Sequence, residues 1–382
     1  MKPSRFSRLY RSLVTCVVLA SAGILQWILI GGALPFERSN VFPFFGPETR
    51  GVTATPGIPK LITHHANFQS GMVFPRWGNS AYGVHDAGWS NGLVDIYHQT
   101  KSQWVEITIN FYQEALISTT VQVKPEMAPT PAALAEGIRI AHAIGYRVFV
   151  SPLLSVGGKS PWAGSIKFST PVQEQAWFSS YWDAISPYVM AADQAKAEEF
   201  AIGTEYEQLQ QVSPELWKQL IEKFHQNFHA KLTYDINWSS LWFPIPSWMH
   251  NPYLDAIGVS LYIPLTKKVE RLDPASLPAL WHKTINSILD KYSVQVNKPL
   301  LVSEVGYRNR ADALYNPWLR TTKADVDPAE QAAAYDAALQ NVVDDPHIIG
   351  IFFWAWSFPM FQPNGLPASG VLSKWYTSKQ IT

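Results

Sequence analysis

The sequence predicts an α/β chain of the closed (β/α)8 TIM barrel class, preceded by one N-terminal transmembrane helix, on three observations. Short apolar runs alternate with helical patterns from about residue 70 to residue 353, an order that favours a parallel sheet. No linker, low-complexity block or repeat of solenoid or propeller period interrupts residues 61–382, so one domain of about 320 residues is implied. Carboxylates follow two of the apolar runs directly, which is where such a barrel gathers its functional groups. An open doubly wound sheet also fits the alternation, because alternation alone does not show closure.

The elements follow in order. Lys2, Arg5, Arg8 and Arg11 precede residues 13–36, an almost uncharged stretch whose strongly polar side chain is Gln26. That stretch is long enough to cross roughly 30 Å of hydrocarbon as a helix. Positive charge on the short leading side predicts that 1–36 forms a cytoplasmic basic stub and transmembrane signal anchor, with an extracytoplasmic catalytic domain, periplasmic or extracellular. A signal peptide cleaved after Ala20-Ser21-Ala22 would cut midway through the apolar run, and a lipoprotein using Cys16 needs a small residue before it and finds Thr15. Secretion after cleavage is the alternative to anchoring. Residues 37–60, rich in Pro, Gly and Thr, read as a linker.

Strands are expected at 71–74, 104–109, 147–153, 199–202, 231–236, 256–260, 300–303 and 350–353. Helices are expected at 93–100, from a Thr130 cap through Ala143, at 171–195, from Ser213-Pro214-Glu215 with Ser213 as N-cap, and near 276–292 and 327–343. Strand–helix units of this number favour closure into a barrel.

Thirty basic and thirty acidic residues balance, so the charge points away from nucleic acid and towards an uncharged ligand. Sixteen tryptophans exceed what a core needs and leave rings for a binding surface. The single cysteine, Cys16, lies in the apolar N-terminal segment, so the domain holds no internal disulfide and the compartment stays open on that ground.

Glu205 follows the fourth strand in "AEEFAIGTEYEQL" (197–209), and Glu304 follows the seventh in "PLLVSEVGY" (299–307). Two acids converging on one barrel mouth suit glycosidic hydrolysis, in which one is protonated for the leaving oxygen and the other ionised for the anomeric carbon or for water. The strand boundary leaves Glu207 as an alternative to Glu205, since residues two apart on a strand point the same way. For Glu304 the competing reading is an acid salt-bridged to Arg308 or Arg310.

"IGTEYEQL", "LTYDINW" (232–238), "LDAIGVSLYIPL" (254–265), "LLVSEVGYRN" (300–309) and "GIFFWAWS" (350–357) resemble, in that order, the strand-end motifs of glycoside hydrolase family 113. This is a family of β-mannanases in the retaining clan A of (β/α)8 glycosidases; "NGLPASGVLSKWY" (364–376) is similar to the clan's last helix, so the resemblance runs from about residue 70 to the C-terminus. It implies Glu205 as acid/base, Glu304 as nucleophile, Tyr262 as the tyrosine orienting that nucleophile, and Trp354 or Trp356 as the aromatic floor beneath the sugar. It favours Glu205 over Glu207. Much of the clan has Asn before the acid/base to bind the sugar 2-hydroxyl; this chain has Thr204, as family 113 does, and Asn237 is the candidate to compensate.

Trp77, Trp89, Trp162, Trp238, Trp242, Trp318, Trp354 and Trp356 mostly fall after strands, where rings can stack on sugars, and Trp77 and Trp238 join the candidate substrate-binding set. Trp177, Trp182, Trp217 and Trp281 lie on expected helices and are assigned to packing. His225 and His229 lack the HExxH glutamate and precede strand five, at the wrong end of the barrel. His64-His65 and His85-Asp86 lie near the first strand, where His85 or Asp86 could touch sugar hydroxyls. "GGKS" (157–160) has Leu153 where a phosphate loop needs its first glycine. The expectation is a retaining hydrolase of β-linked poly- or oligosaccharide, β-1,4-mannan first, with no metal, no cofactor and no nucleic-acid partner. Its rivals are a carbohydrate-binding barrel that has lost turnover and a β-1,4-glycosidase acting on another glycan.

Overall fold

A computed structural model describes residues 61–62, 67–158 and 161–381. The anchor at 13–36, the linker at 37–60, His64-His65 and Lys159-Ser160 lie outside them. Among the described residues no helix is long and apolar enough to cross a membrane.

Eight strands close into one parallel barrel, β1 (Gln69–Val73), β2 (Trp104–Gln113), β3 (Arg147–Val156), β4 (Glu199–Thr204), β5 (Lys231–Asn237), β6 (Ala256–Ser260), β7 (Leu300–Val305) and β8 (Ile348–Phe353). Closure is explicit in the pairing of β8 with β1, Gly350 opposite Gln69 through Phe353 opposite Met72, which removes the open-sheet alternative. Most strand residues are buried on both faces, as a parallel sheet covered by helices requires. The inward faces bring together Val73, Trp104, Phe149, Ala201, Leu301 and Phe352, while the outward faces pack on the helices. A Cβ on Gly71 would stand 2.2 Å from the Phe352 ring, so only glycine lets that ring fill the interior at this level.

The helices are α1 (Ala87–Thr100), α2 (Pro131–Ile144), α3 (Pro171–Gln194), α4 (Pro214–Asn227), α5 (Leu277–Trp281), α6 (Ser287–Val296), α7 (Pro328–Val342) and α8 (Pro367–Ile381). A π turn over His282–Asn286 joins α5 to α6. Three of the helices start on one local signal. Thr130, Thr170 and Asp327 each accept a hydrogen bond from the backbone N–H three residues on, and each is followed by proline at the first helical position. Ser213 was expected to do the same and does not. It sits in the left-handed region (φ 47°) and its hydroxyl donates to Glu174, so α4 opens on Pro214 without a side-chain cap.

The expected strands at 104–109 and 147–153 run longer, because β2 and β3 pair without a break from Trp104–Arg147 to Gln113–Val156. Helix α1 begins six residues ahead of the expected Leu93, at Ala87, just past Asp86, whose side chain is engaged with Arg76 and does not cap the helix. Between β5 and β6 the connection holds only two short 3-10 turns, Trp238–Trp242 and Ser247–His250. Trp177, Trp217 and Trp281 are fully buried and Trp182 half-buried, as the packing assignment expects. Helix α8 packs against α7 and α1, and its Tyr376 hydroxyl donates to the Gly71 carbonyl at 3.0 Å, tying the last element to the first strand.

Candidate active site

Strand β4 continues past the expected Ile202 to Thr204, and Glu205 is the first residue beyond it. Glu205 has φ +59°, a left-handed conformation that a residue with a Cβ adopts at a cost of about 1 kcal/mol or more. Its N–H donates to the Asp235 carbonyl at 2.8 Å, which extends the β4–β5 ladder one step and holds the turn. The Glu205 carboxylate accepts from the Trp162 indole N–H at 2.8 Å and from the Asn237 amide at 2.9 Å. Asn237 ends β5, and its own carbonyl oxygen accepts from the Ser239 N–H at 3.0 Å, which sets the amide orientation. Asn237 is thus a partner of Glu205.

Glu304 lies inside β7, which runs two residues beyond the expected Ser303. The Tyr262 hydroxyl, two residues past the end of β6, donates to its Oε1. Burial and the charge of Glu304 both push the Tyr262 pKa well up, so the phenol keeps its proton and remains a donor. Burial, and then the charge of Glu205, raise Glu304 itself to about 7, against the opposing pull of Tyr262 and Arg320. Glu205 and Glu304 line one cavity with Leu153, Thr204, Tyr262, Trp318, Arg320, Trp354 and Phe361.

Other acids sit elsewhere. The Glu207 carboxylate accepts from the Ser239 hydroxyl and, at 3.4 Å, from Ser240, and does not line the cavity. Glu106, Glu199 and Asp235 are buried within the barrel; Glu199 accepts from Gln69 at 2.7 Å and from Thr233. Burial and the neighbouring carboxylates keep Glu106 and Asp235 protonated well beyond the usual range.

The salt-bridged reading of Glu304 finds no partner in the expected arginines. Arg308, fully buried, pairs with Asp312 at 3.0 Å and donates to the carbonyls of Asn316 and Leu319 at 2.7 and 2.9 Å, which pins the β7–α7 loop. Arg310 donates to Asn309. The cation in the cavity wall is Arg320 at the end of that pinned loop.

Of the candidate rings, Trp354 lines this cavity and also an adjoining one of about 280 Å³. Trp77 lines the adjoining one with Asn110, Glu126, Met127, Leu153, Arg320 and Phe358. Trp356 does neither. It is 3% exposed and its ring packs in the outer core, while its backbone N–H donates to the Val73 carbonyl at 2.9 Å, so it is removed from the substrate-binding set. Trp238 stacks on Trp318 (centroids 5.7 Å, planes 24° apart) and meets the exposed Trp242 edge-on, forming an aromatic row that leads away from the Trp318 wall. Trp89 is buried against Phe74 and Tyr82.

Asp86 pairs with Arg76 and accepts from the Tyr82 N–H, so it braces the β1–α1 loop. His225 stacks on Tyr253 and His229 bonds Asp193. No group of three or more His, Cys, Asp or Glu side chains could hold a metal among the described residues. A wider hollow of about 690 Å³ opens where β2, β3 and β5 begin, at Trp104, Arg147 and Lys231; this is the end of a barrel that carries stability rather than chemistry.

Fold and site together define a (β/α)8 glycosidase of clan A. The family model for glycoside hydrolase family 113 matches residues 79–368, and the chain belongs to that family; it is a glycoside hydrolase. Among solved structures it is similar to a complex of a GH113 β-1,4-mannanase (20% identity, TM-score 0.70, covering 81% of this chain and 99% of that one). It is similar also to the GH113 β-mannanase AaManA from Alicyclobacillus acidocaldarius in complex with ManMIm (22%, 0.70, 82% and 98%). A GH5_18 variant from Streptomyces cattleya in complex with Manβ1-4GlcNAc is more distant (12%, 0.52, 80% and 80%). No curated protein matches the chain.

Proposed function

We propose that the protein hydrolyses a β-linked glycan, β-1,4-mannan first, with retention of configuration through a double displacement. The observation that carries this reading is the meeting of two acids from β4 and β7 in one cavity, with a protonated tyrosine donating to Glu304 alone. Repulsion between the two carboxylates disfavours double ionisation, so the pair tends to hold one proton. The Tyr262 hydroxyl and the Arg320 charge favour the ionised form of Glu304, against the larger opposing effects of burial and the Glu205 charge.

In the first step the Glu304 carboxylate attacks the anomeric carbon while the bond to the leaving oxygen breaks and that oxygen takes the Glu205 proton. A glycosyl ester on Glu304 results. The ester has no charge, so Glu205, now ionised, accepts a proton from water as the water attacks the anomeric carbon and Glu304 departs. Trp354, in the cavity wall, bears the sugar's apolar face in this reading. The names of the family 113 neighbours support mannan as the substrate. The basic stub and apolar stretch at 13–36 support a domain tethered outside the cytoplasm.

Proton NMR of the first product formed by the full chain from mannohexaose tests the reading. The β-anomer should appear first and mutarotate later; the α-anomer first would reject double displacement.

A further inference from the structure

Arg320 is a half-buried cation with no hydrogen bond and no ion pair within 4 Å among the described residues. Its guanidinium carbon lies 5.6 Å from the centroid of the Phe358 ring. It belongs at once to the wall of the Glu205–Glu304 cavity and to that of the adjoining 280 Å³ cavity, and the two share Leu153 and Trp354 as well. The side chain is not on a loose loop. Arg308 grips the carbonyls of Asn316 and Leu319 just ahead of it, Thr322 donates to Asp312 just behind it, and the Leu265 N–H in the neighbouring loop after β6 donates to the Leu314 carbonyl. Its charge is balanced at a distance by Glu304 and Glu205, but its N–H donors are unspent, and a fixed, partly desolvated guanidinium is costly unless a ligand takes them.

We propose that Arg320 makes the adjoining cavity a subsite for an anionic sugar, so that the glycan cut between Glu205 and Glu304 carries a carboxylate, as in a uronate residue, beside the ring that reacts. This rests on the glycoside hydrolase reading of that cavity. Charge and geometry favour a carboxylate. A guanidinium presents two parallel N–H groups in one plane, which a planar carboxylate accepts in pairs, and such charge-assisted bonds are roughly twice as strong as neutral ones. The reacting ring next to Glu205 and Glu304 is a poor place for a further negative charge. The outer cavity separates the two requirements: its other named walls, Trp77, Asn110, Met127, Leu153, Trp354 and Phe358, are uncharged, and Glu126 is exposed and forms no ion pair with Arg320. Apolar rings around one cation give a sugar face something to stack on and its carboxylate one partner to find.

The experiment compares β-1,4-mannan oligosaccharides with the same chains partly oxidised at C6 to mannuronate, using the full-length protein. Expected is a kcat/KM at least about tenfold higher on the oxidised chains, with the uronate found at one fixed distance from the new chain end in the products. Arg320→Gln should erase the preference, and Arg320→Lys should keep part of it. Equal rates on both chains in the parent, or uronates scattered at random among product positions, would overturn the proposal without need of a variant. An Arg320→Gln variant that loses the same factor on both chains would overturn it too, and would assign the guanidinium to balancing the Glu304 charge. A greater preference for chains phosphorylated at C6 than for oxidised ones would overturn the choice of carboxylate. Failure of the parent on neutral and oxidised chains alike, and on every other β-glycan, would instead strike the proposed function.

Discussion

The ends of β4 and β7 each deliver one carboxylate to the cavity, but they hold it by different means. Glu205 lies past its strand on a left-handed residue, clasped by two N–H donors from other loops and strands, Trp162 and Asn237. Glu304 lies within its strand, where the ladder fixes the backbone, and one phenol donates to it. Under the proposed mechanism, the residue that gives up a proton and takes one back sits on a turn, and the residue that attacks one carbon atom sits on the stiffest support the fold has.

The largest expected effect breaks the comparison from the β7 side. Glu304→Gln should lower turnover by about 10⁴-fold or more while leaving oligosaccharide binding measurable by calorimetry. Unchanged turnover would remove Glu304 from the chemistry. Glu205→Gln should cost about 10²–10⁴-fold on natural glycans and far less on aryl glycosides, whose leaving groups need no proton. Equal losses on both kinds of substrate would mean that the two acids do not divide the work as their settings suggest.

Tyr262→Phe sharpens the β7 side by altering one donor. The competent pair keeps one proton, so kcat/KM should fall as pH rises through about 7, the value to which burial and the Glu205 charge raise the last proton's loss. Tyr262 opposes that rise, so its loss should move this basic limb to higher pH, and the lost donor should reduce kcat/KM about tenfold at neutrality. A limb that stays in place would separate Tyr262 from the Glu304 charge.

The smallest effect is on stability. A carboxyl held near 7 in the fold against about 4.5 in the unfolded chain binds its proton more tightly when folded. The fold therefore loses stability as pH rises from about 4.5 through about 7, by up to about 3 kcal/mol. Glu304→Gln should raise the melting temperature above pH 8 and leave it nearly unchanged below pH 4.5. Equal shifts at both pH values would show that packing, not charge, sets the difference.

The two acids and the barrel were legible because parallel strands are buried on both faces and end abruptly. An apolar run followed by a glutamate therefore marks both a strand and its functional end, as at Leu300 to Glu304. Strand lengths were less legible. β2 and β3 extend through Asn110, Gln113 and Ser155, polar residues that no apolar period announces and that pairing alone keeps in line. Trp162 was expected only as one of several rings after strands, not as a donor to Glu205, and Arg320 was not singled out, since each arrives on a long connection whose path is set by contacts remote in sequence. Trp354 and Trp356 were indistinguishable on spacing. The chain turns after Phe353, so their rings enter different clusters, the inner and the outer. Ser213 carried the usual cap residue before proline and was drawn away by Glu174 on α3, a tertiary partner that local pattern does not contain.

The division of labour between the two strand ends is tested most directly by trapping the covalent intermediate. The full-length protein would be incubated with 2-deoxy-2-fluoro-β-mannosyl fluoride, whose glycosyl ester forms faster than it hydrolyses, and its peptides mapped by mass spectrometry. The account predicts a single label on Glu304. A label on Glu205 or Glu207 would contradict it, as would turnover of the reagent through no covalent species.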